Sequence, residues 1–169
     1  MWWSKNESLD AQVRQRFVPF IDAAVRGELE DWAATPHGIV ALILLTDQFP
    51  RNAYRGTPAA CSGDAAARRF CRTGLAQRFD AALRPVERVF HYLPLEHSEA
   101  IDDQREAVRL FTALAEAAPE PAILRNLDFA VCHREVIERF GRFPHRNAIL
   151  GRPSTPEETE FLSRPGSRF

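Results

Sequence analysis

Long apolar runs, paired cysteines and net charge are all scarce in this sequence. No apolar run approaches the roughly 20 residues that a membrane-spanning helix needs, which argues against a membrane protein. The N-terminal sequence MWWSKNE has neither the apolar core nor the cleavage site of a signal peptide. Cys61, Cys71 and Cys132 are odd in number and lack metal-ligand spacing. We therefore expect a cytoplasmic protein with no metal ion and no other cofactor.

The formal net charge is only −1, so the overall attraction that draws basic proteins to nucleic acid is missing. Charge is nevertheless unevenly distributed along the chain. Residues 96–106 contain five acids and one arginine, whereas residues 134–152 contain five arginines and two glutamates, and the two segments are candidates to face each other. Lys5 is the only lysine, and arginine differs from lysine in offering a planar fork that binds a carboxylate through two hydrogen bonds. A GC-rich genome explains the bias itself more simply than function does.

The length and the apolar periodicity predict one all-α domain over residues 1–169. A globule of 169 residues buries roughly 70% of its unfolded surface, which is enough for a core without disulfides. Apolar residues recur at helical spacing, and no segment shows sustained two-residue alternation. Short turns between the helices favour stacked antiparallel hairpins of the tetratricopeptide kind. We expect about seven helices and no sheet, with helices over residues 9–27, 38–49, 57–74, 85–93, 98–118 and 121–140 and a last helix that begins at Thr155.

Several residues are expected to limit these helices. Residues 38–49, GIVALILLTDQF, are apolar around the whole circumference and predict a central buried helix, which Pro50 should end. Pro94 and Gly141 are expected to end two later helices. Residues 155–158, TPEE, have the pattern of a capping box, in which the threonine and the second glutamate each bind a backbone N–H.

Two motifs share an unusual pattern. DQFPRNAYRG at residues 47–56 and RFGRFPHRNAILGR at residues 139–152 both contain Phe-Pro followed within two residues by Arg-Asn, and both end on an arginine and glycine pair. We call them the first and second corner motifs. The residue before a proline is pushed toward extended geometry and proline fixes the next turn, so each motif is expected to form a corner with Asn52 or Asn147 in a turn or capping position.

Asp47 is expected in the last turn of its helix. The helix dipole disfavours an unpaired carboxylate there by roughly 0.3 to 1 kcal/mol, so Asp47 needs a cation. The expected partner is an arginine of either motif, Arg51 or Arg55 nearby, or Arg142 or Arg146. One interpretation is therefore an ion-pair network that fixes two helix corners and needs no ligand.

The alternative interpretation is an anion site. The second corner motif contains four arginines and no acid, and the first contains two arginines and Asp47. Arginine donors left over from this pairing are best satisfied by a phosphate or a carboxylate. We expect the two corners to lie close to His97 and the acidic segment, so that their arginines bind one anion. These arginines are Arg51, Arg55, Arg142, Arg146 and Arg152.

Weak signals for catalysis surround His97. His97 is spaced one turn from Ile101 and two turns from Gln104, and Gln104 lies on the apolar side of its helix. His97 is therefore expected to point into the same cleft as Gln104. Because histidine titrates near neutral pH, the weak candidates for catalytic proton transfer are His97, Glu99 and His133.

Covalent and metal chemistry are both disfavoured at these residues. Ser98 is better explained as a helix cap than as a nucleophile, since adjacent residues seldom form a hydrogen-bonded nucleophile and base. A metal site built from His97, Glu99, His133 and His145 lacks any recognised spacing.

Three long segments occur in an order that resembles a bacterial family called domain of unknown function 924. They are DQFPRNAYRG, YLPLEHSEAIDDQ and RFGRFPHRNAILGRPSTPEETEFL, and the resemblance extends from about Trp3 to Leu162. It implies a tetratricopeptide-like, all-helical fold and no particular reaction, cofactor or catalytic residue. Relatives usually carry a further aromatic-rich segment ahead of the position of Trp2 and Trp3.

Two classes of function remain open. The first, which we favour, is a binding domain whose arginine-rich groove holds an anionic small molecule, an acidic peptide or a partner protein. The second is a small hydrolase-type enzyme that uses histidine and glutamate for acid–base chemistry on an anionic substrate. Nucleic acid is not expected, because stacking aromatics are not interleaved with the arginines beyond Phe140, Phe143 and Tyr54. The predicted ligand-binding residues are Asp47, Gln48, Arg51, Asn52, Arg55, His97, Gln104, Arg142, His145, Arg146, Asn147 and Arg152.

Overall fold

The structure is a computed structural model that describes residues 6–167. In this range the chain forms seven helices and no β-strand, counting the unbroken helical stretch over residues 36–53 as one. The all-α prediction is therefore confirmed, whereas the aromatic residues Trp2 and Trp3 lie outside the described range. The helices are α1 (Glu7–Val25), α2 (Pro36–Ile43, Leu44–Gln48 and Phe49–Ala53 in succession), α3 (Asp64–Ala76), α4 (Pro85–Glu96), α5 (Ile101–Ala117), α6 (Pro121–Phe140) and α7 (Pro156–Leu162).

The chain divides into two compact units, one ending at Leu95 and the other beginning at Glu96. The expectation of one domain over residues 1–169 stays a prediction. None of the helices within residues 6–167 is long and apolar enough to cross a membrane.

In the first unit, α2 is the buried helix. Its N-terminal segment packs against α3 and its C-terminal segment packs against α1. Ile39, Leu42 and Ile43 are fully inaccessible, and only Ala41 and Leu44 are partly exposed among residues 39–45. Apart from these two residues, the prediction of an almost wholly inaccessible helix is confirmed.

The prediction that Pro50 ends α2 is wrong, because the helix widens just before the proline. The N–H of Phe49 donates to the carbonyl oxygen of Leu44, five residues earlier, and this bond closes a π-helical turn. Pro50 has no N–H, so the carbonyl of Thr46 lacks its ordinary helical donor. Gly63 lies against this carbonyl, since a Cβ atom added at Gly63 would be 2.1 Å from the Thr46 oxygen. The helix thus continues past its proline, with the backbone of Gly63 packed closely against this turn.

Pro94 also lies inside a helix instead of ending one. α4 continues to Glu96, and Leu93 and Leu95 on either side of the proline are 2% and 1% exposed. Burial of a leucine side chain contributes roughly 2 kcal/mol, which offsets the hydrogen bond that proline cannot make. Tertiary packing therefore overrides the local stop signal.

The second unit contains a helical hairpin formed by α5 and α6, which pack against each other along their length and are joined by residues 118–120. α7 packs against a short 3-10 helical turn, Pro144–Arg146, in the second corner motif. A small apolar core lies beside this turn. It consists of Val136, Ile137 and Phe143, with Ile101, Phe140 and Phe161 packed against it.

Helix ends in the second unit agree with the stop and capping signals in the sequence more closely than helix ends in the first unit do. Gly141 ends α6 in the left-handed conformation, with φ of 67°, and its N–H donates to the carbonyl of Ile137. Thr155 and Glu158 form both bonds of the predicted capping box. α5, however, begins at Ile101 and not at Ser98.

Candidate functional site

Asp47 is fully buried in the π-helical turn of α2. The prediction of a last-turn position is wrong, because α2 continues to Ala53. The Nη1 atom of Arg51 lies 3.1 Å from the Asp47 carboxylate and also donates to the Asp47 carbonyl at 2.6 Å. The side-chain amide of Gln48 donates to the same carboxylate. Arg51 is therefore confirmed as a cation that pairs with Asp47.

Arg51 also joins α2 to α3. Its Nη1 atom lies 3.0 Å from the carboxylate of Asp64. Burial alone would lower the pKa of the Arg51 guanidinium, but the charges of Asp47 and Asp64 raise it above its ordinary value. The arginine therefore stays charged and holds two carboxylates of the first unit.

The remaining polar residues of the first corner converge on Asp10 in α1. Arg55 binds the Asp10 carboxylate through two nitrogens, at 2.7 and 2.9 Å, and the amide of Asn52 donates to it at 2.8 Å. The hydrogen bonds from Arg55 lower the pKa of Asp10. Asn52 lies inside α2 and not at a turn, because the helix passes through the corner motif.

In the second corner, Arg142 and Asn147 both bind Glu158. The guanidinium of Arg142 donates two hydrogen bonds to this buried carboxylate, at 2.6 and 2.8 Å, and the Asn147 amide donates at 3.2 Å. Together with the N–H of Thr155, these donors lower the pKa of Glu158 to about 2, and the Arg142 bonds contribute most. This arrangement fixes the corner to the start of α7.

Arg152 connects the second corner to the acidic segment. Two nitrogens of Arg152 bind Glu99, at 2.7 and 2.9 Å, and the N–H of Phe143 donates to the same carboxylate at 2.8 Å. Burial of Glu99 opposes its ionisation, but these donors hold its pKa below the ordinary value. The expectation that residues 96–106 face residues 134–152 is confirmed at this pair.

The corner motifs contain more arginines than acids, but in the folded chain acids from outside the motifs pair with these arginines. Arg55, Arg142 and Arg152 each form a two-nitrogen pair with a carboxylate that lies outside their own motif. A count of arginines and acids inside each motif leaves these carboxylates out, because they are 45, 16 and 53 residues away along the chain. The premise that several arginine forks remain for one shared anion is wrong for these three residues. Whether the first corner shares a site with His97 stays a prediction.

A cluster of nitrogen-bearing side chains surrounds Phe143 in the second unit. The ring of Phe143 lies 5.4 Å from that of His133 and 5.5 Å from that of His145, and the guanidinium carbon of Arg146 lies 4.7 Å from its centre. The His97 ring lies 6.3 Å from that of His133. His133 and Arg146 are buried, whereas His97 and His145 are half-buried. We call the group formed by His133, His145 and Arg146 at the Phe143 ring, with His97 beside His133, the Phe143 cluster.

The imidazole of His133 is held in one tautomer. Its Nδ1 atom lies 2.8 Å from the carbonyl oxygen of Phe129 and 3.4 Å from the carboxylate of Glu96. A carbonyl can only accept a hydrogen bond, so Nδ1 carries the proton and Nε2 is the basic nitrogen. Burial, followed by the neighbouring charges of His97, His145 and Arg146, lowers the pKa of His133 to about 3. The ring is therefore neutral near pH 7.

Gln104 and Ser98 have structural contacts beside the cluster. The side-chain amide of Gln104 is fully buried and donates to the carbonyls of Glu96 and Ser98, both at 2.6 Å. It thereby holds the end of α4 and the loop that follows. The Ser98 hydroxyl donates to the carboxylate of Asp103 at 2.7 Å and accepts the N–H of Ala100, which is the N-cap residue of α5. The prediction that Ser98 is the N-cap residue of α5 is therefore wrong. Ser98 instead accepts a hydrogen bond from the N–H of the N-cap residue, Ala100.

Several residues of these networks were not identified from the sequence. Glu96 and Phe143 were noted only as members of longer segments, although Phe143 precedes a proline in a motif already singled out. Asp10 carried a usable signal, because it lies one turn from Val13 on the buried face of α1 and is itself buried. Glu158 was predicted as a helix cap, but its partner Arg142 was not. Within residues 6–167, no group of three or more histidine, cysteine or acidic residues has an arrangement that could hold a metal ion.

Residues 1–166 match the family model described as a bacterial protein of unknown function, DUF924. The chain belongs to this family. A solved structure titled as a protein of unknown function from Agrobacterium tumefaciens is 40% identical to this DUF924 member, covering 95% of this chain and 87% of that chain with a TM-score of 0.87. No curated protein matches. The motif resemblance is thus confirmed, and the similarity assigns no activity to this DUF924 chain.

Proposed function

We propose that this protein binds a small anionic molecule, a carboxylate or a phosphate compound, at the Phe143 cluster. The observation that supports the proposal is that two imidazoles and a buried guanidinium contact one aromatic ring, with a third imidazole beside one of the two. An oxyanion accepts hydrogen bonds from imidazole and guanidinium groups, and its negative charge favours their protonated forms.

Neighbouring ion pairs make the cluster a defined site for such a ligand. Arg142 is fixed by Glu158 and Arg152 by Glu99, so both ends of the loop that carries Arg146 are held by ion pairs. A site whose side chains are already positioned loses less entropy when it binds. The three free cysteines, Cys61, Cys71 and Cys132, fit a reducing compartment, and we therefore place this binding in the cytoplasm.

The proposed site contains fewer residues than the site predicted from the sequence, because it leaves out the first corner motif. The first-corner residues Asp47, Arg51 and Arg55 form contacts between helices of the first unit, and these contacts support our proposal that their role is structural. An acidic peptide remains an outcome of the test below. It would stabilise the protein where free carboxylates and phosphates do not.

A second candidate, acid–base catalysis on the bound anion, is favoured by one observation. The proton on Nδ1 of His133 is fixed by Phe129 and Glu96, which aims the basic Nε2 away from that anchor, as in catalytic histidines oriented by a second group. Glu99 is a poor partner in such chemistry, because Arg152 and the Phe143 N–H hold its carboxylate. Hydrolysis of a phosphate or carboxylate ester by the wild type, lost in His133→Asn, would favour this candidate.

A thermal-shift titration tests the binding proposal. Small phosphates, small carboxylates and an acidic peptide are each compared with chloride at equal ionic strength, because salt screening alone also changes stability. A ligand at 100 times its dissociation constant stabilises the folded state by about 2.7 kcal/mol. We expect this stabilisation in the wild type and in Arg164→Gln, whose arginine forms an exposed pair with Glu160, and its loss in Arg146→Gln. Equal shifts with chloride and with every anion would contradict the proposal.

A further inference from the structure

We propose that His91 is an acid-sensitive switch in the first unit, whose protonation opens the contact between α4 and α3. The switch is independent of the ligand proposed for the Phe143 cluster. It keeps the two helices packed at neutral pH and releases them reversibly as the pH falls below about 6.5, the pKa of an ordinary imidazole.

His91 packs directly against the backbone of α3. Its ring is fully inaccessible, and Nε2 lies 3.1 Å from the carbonyl oxygen of Cys71. A Cβ atom added at Gly74 would lie 2.6 Å from the same Nε2 and 3.2 Å from the side chain of Ile39 in α2. Only a glycine leaves space for the ring here, so the imidazole cannot turn toward another partner while the helices stay packed.

Only one of the two ring nitrogens of His91 is hydrogen-bonded. A carbonyl oxygen can only accept a hydrogen bond, so Nε2 carries the proton and Nδ1 is the basic nitrogen. Nδ1 is buried, and no atom of residues 6–167 forms a hydrogen bond with it. A proton gained in the closed form would therefore create a buried charge and a buried N–H without an acceptor, and both are costly.

Nearby charges do not offset this cost. Asp80 lies in the turn between α3 and α4 and favours a charged imidazole, but its carboxylate already accepts a hydrogen bond from the hydroxyl of Tyr92 at 2.9 Å. Glu87, one turn earlier in α4, is held by Arg84. The contacts from α3 are with backbone groups, and the α2 residue beside them is apolar. Burial outweighs the effect of Asp80, so the pKa of His91 lies below its ordinary value.

The pH dependence of the switch follows from this difference between the closed and open forms. Opening releases the ring into water, where an imidazole takes up a proton with a pKa near 6.5. Because the open form binds this proton more readily, the free energy of opening is constant well above pH 6.5 and falls as the pH drops below it. Between pH 8 and pH 5 the equilibrium should shift toward the open form by up to about thirtyfold.

The thiol of Cys71 reports the opening, because this residue is fully inaccessible and lies in α3 at the contact with His91. The substitutions Cys61→Ser and Cys132→Ser leave it as the one thiol of the chain. Its labelling by a dithiodipyridine reagent, which reacts with thiols in acid as well as in neutral solution, is timed at each pH. Division by the rate for the same chain in urea removes the pH dependence of the reagent and of the thiol. We expect the normalised rate to rise by up to about thirtyfold from pH 8 to pH 5.

A conservative variant assigns the effect to His91. In His91→Gln the side-chain amide nitrogen can still donate to the Cys71 carbonyl, but it does not titrate. We expect this variant to lose most of the rise in labelling. His37→Gln is the matched control, because His37 lies in the same unit with its side chain 74% exposed, and it should keep the wild-type rise.

Two results of the labelling experiment would overturn the proposal. One is a normalised rate in the wild type that does not change between pH 8 and pH 5, and the other is a rise that persists in full in His91→Gln. If His91→Gln does not fold, nuclear magnetic resonance of the wild-type ring decides. Ring signals of His91 in the closed form that stay constant down to the pH at which labelling rises support the switch. Titration of this ring near pH 6.5 in the closed form overturns it.

Discussion

The two corner motifs share the letters Phe-Pro and Arg-Asn, but they form different structures. In the first motif the helix widens into a π-helical turn and continues through Pro50, whereas in the second Gly141 ends the helix in a left-handed conformation before Pro144 begins a 3-10 turn. A glycine ahead of Phe-Pro is present in the second motif and absent from the first. The helix therefore ends at a glycine before the Phe-Pro of the second motif, whereas it continues through the Phe-Pro of the first.

The arginine that precedes asparagine also differs between the two motifs. Arg51 binds the carboxylates of Asp47 and Asp64, so it connects two helices. Arg146 lies over the ring of Phe143, near the imidazole of His133. In our proposal the first motif is a structural junction and the second carries the ligand site.

The largest effect is expected at the first junction. Arg51→Ala leaves the buried carboxylate of Asp47 without its closest cation, and removal of one partner of a buried ion pair costs roughly 3 to 5 kcal/mol. Urea unfolding measures this loss. Arg164→Ala, which removes an exposed pair with Glu160, is the control and should cost less than about 1 kcal/mol. Equal losses in the two variants would show that the Arg51 network does not stabilise the first unit.

The two glycines beside the motifs should respond differently to alanine. A Cβ at Gly63 would lie 2.1 Å from the backbone oxygen of Thr46, and such overpacking costs roughly 3 kcal/mol. A Cβ at Gly141 meets nothing within 4 Å, so Gly141→Ala costs only the strain of its positive φ, about 1 kcal/mol. Thermal unfolding of both variants measures the difference. A larger loss for Gly141→Ala than for Gly63→Ala would contradict the packing that we describe at the π-helical turn.

A smaller and pH-dependent effect is expected at the second corner. Glu158→Gln keeps the shape of the side chain but removes the charge that binds Arg142, and we expect a loss of roughly 2 kcal/mol near pH 7. The pKa of Glu158 is lowered to about 2 when folded, against about 4.3 when unfolded. Its contribution is therefore complete above about pH 5 and is lost as the pH falls toward 2.

Unfolding measured as a function of pH checks this prediction. The stability difference between the wild type and Glu158→Gln should shrink as the pH falls through this range. Glu160→Gln changes an exposed carboxylate on the same helix and serves as the control, with little effect at any pH. A difference between the wild type and Glu158→Gln that does not depend on pH would show that the charge of Glu158 is not what stabilises the corner.

Helix positions were predictable where the signals are local. The range of α6, the left-handed end at Gly141 and the capping box at Thr155 all follow from residues within one or two turns. Pro50 and Pro94 misled the prediction, because burial of their helices and the approach of Gly63 are tertiary effects that no local pattern contains.

The candidate site was predictable in part for the same reason. The sequence predicts His97, His145 and Arg146 as ligand-binding residues and His133 as a weak catalytic candidate, because histidine and arginine carry recognisable chemistry. The pairs of Arg55, Arg142 and Arg152 with distant acids were not predictable, since they depend on which helices pack together. These pairs remove most of the apparent arginine surplus and leave the Phe143 cluster as the candidate.

The most direct test follows the five imidazole rings by nuclear magnetic resonance while an anion is added. His97, His133 and His145 belong to the Phe143 cluster, whereas His37 and His91 lie in the first unit and serve as internal controls. Our account predicts that sulfate, compared with chloride at equal ionic strength, shifts the ring signals of the three cluster histidines in one saturable transition and leaves His37 and His91 unchanged. Equal, unsaturable shifts of all five rings, or no shift at His133, would contradict an anion site at this cluster.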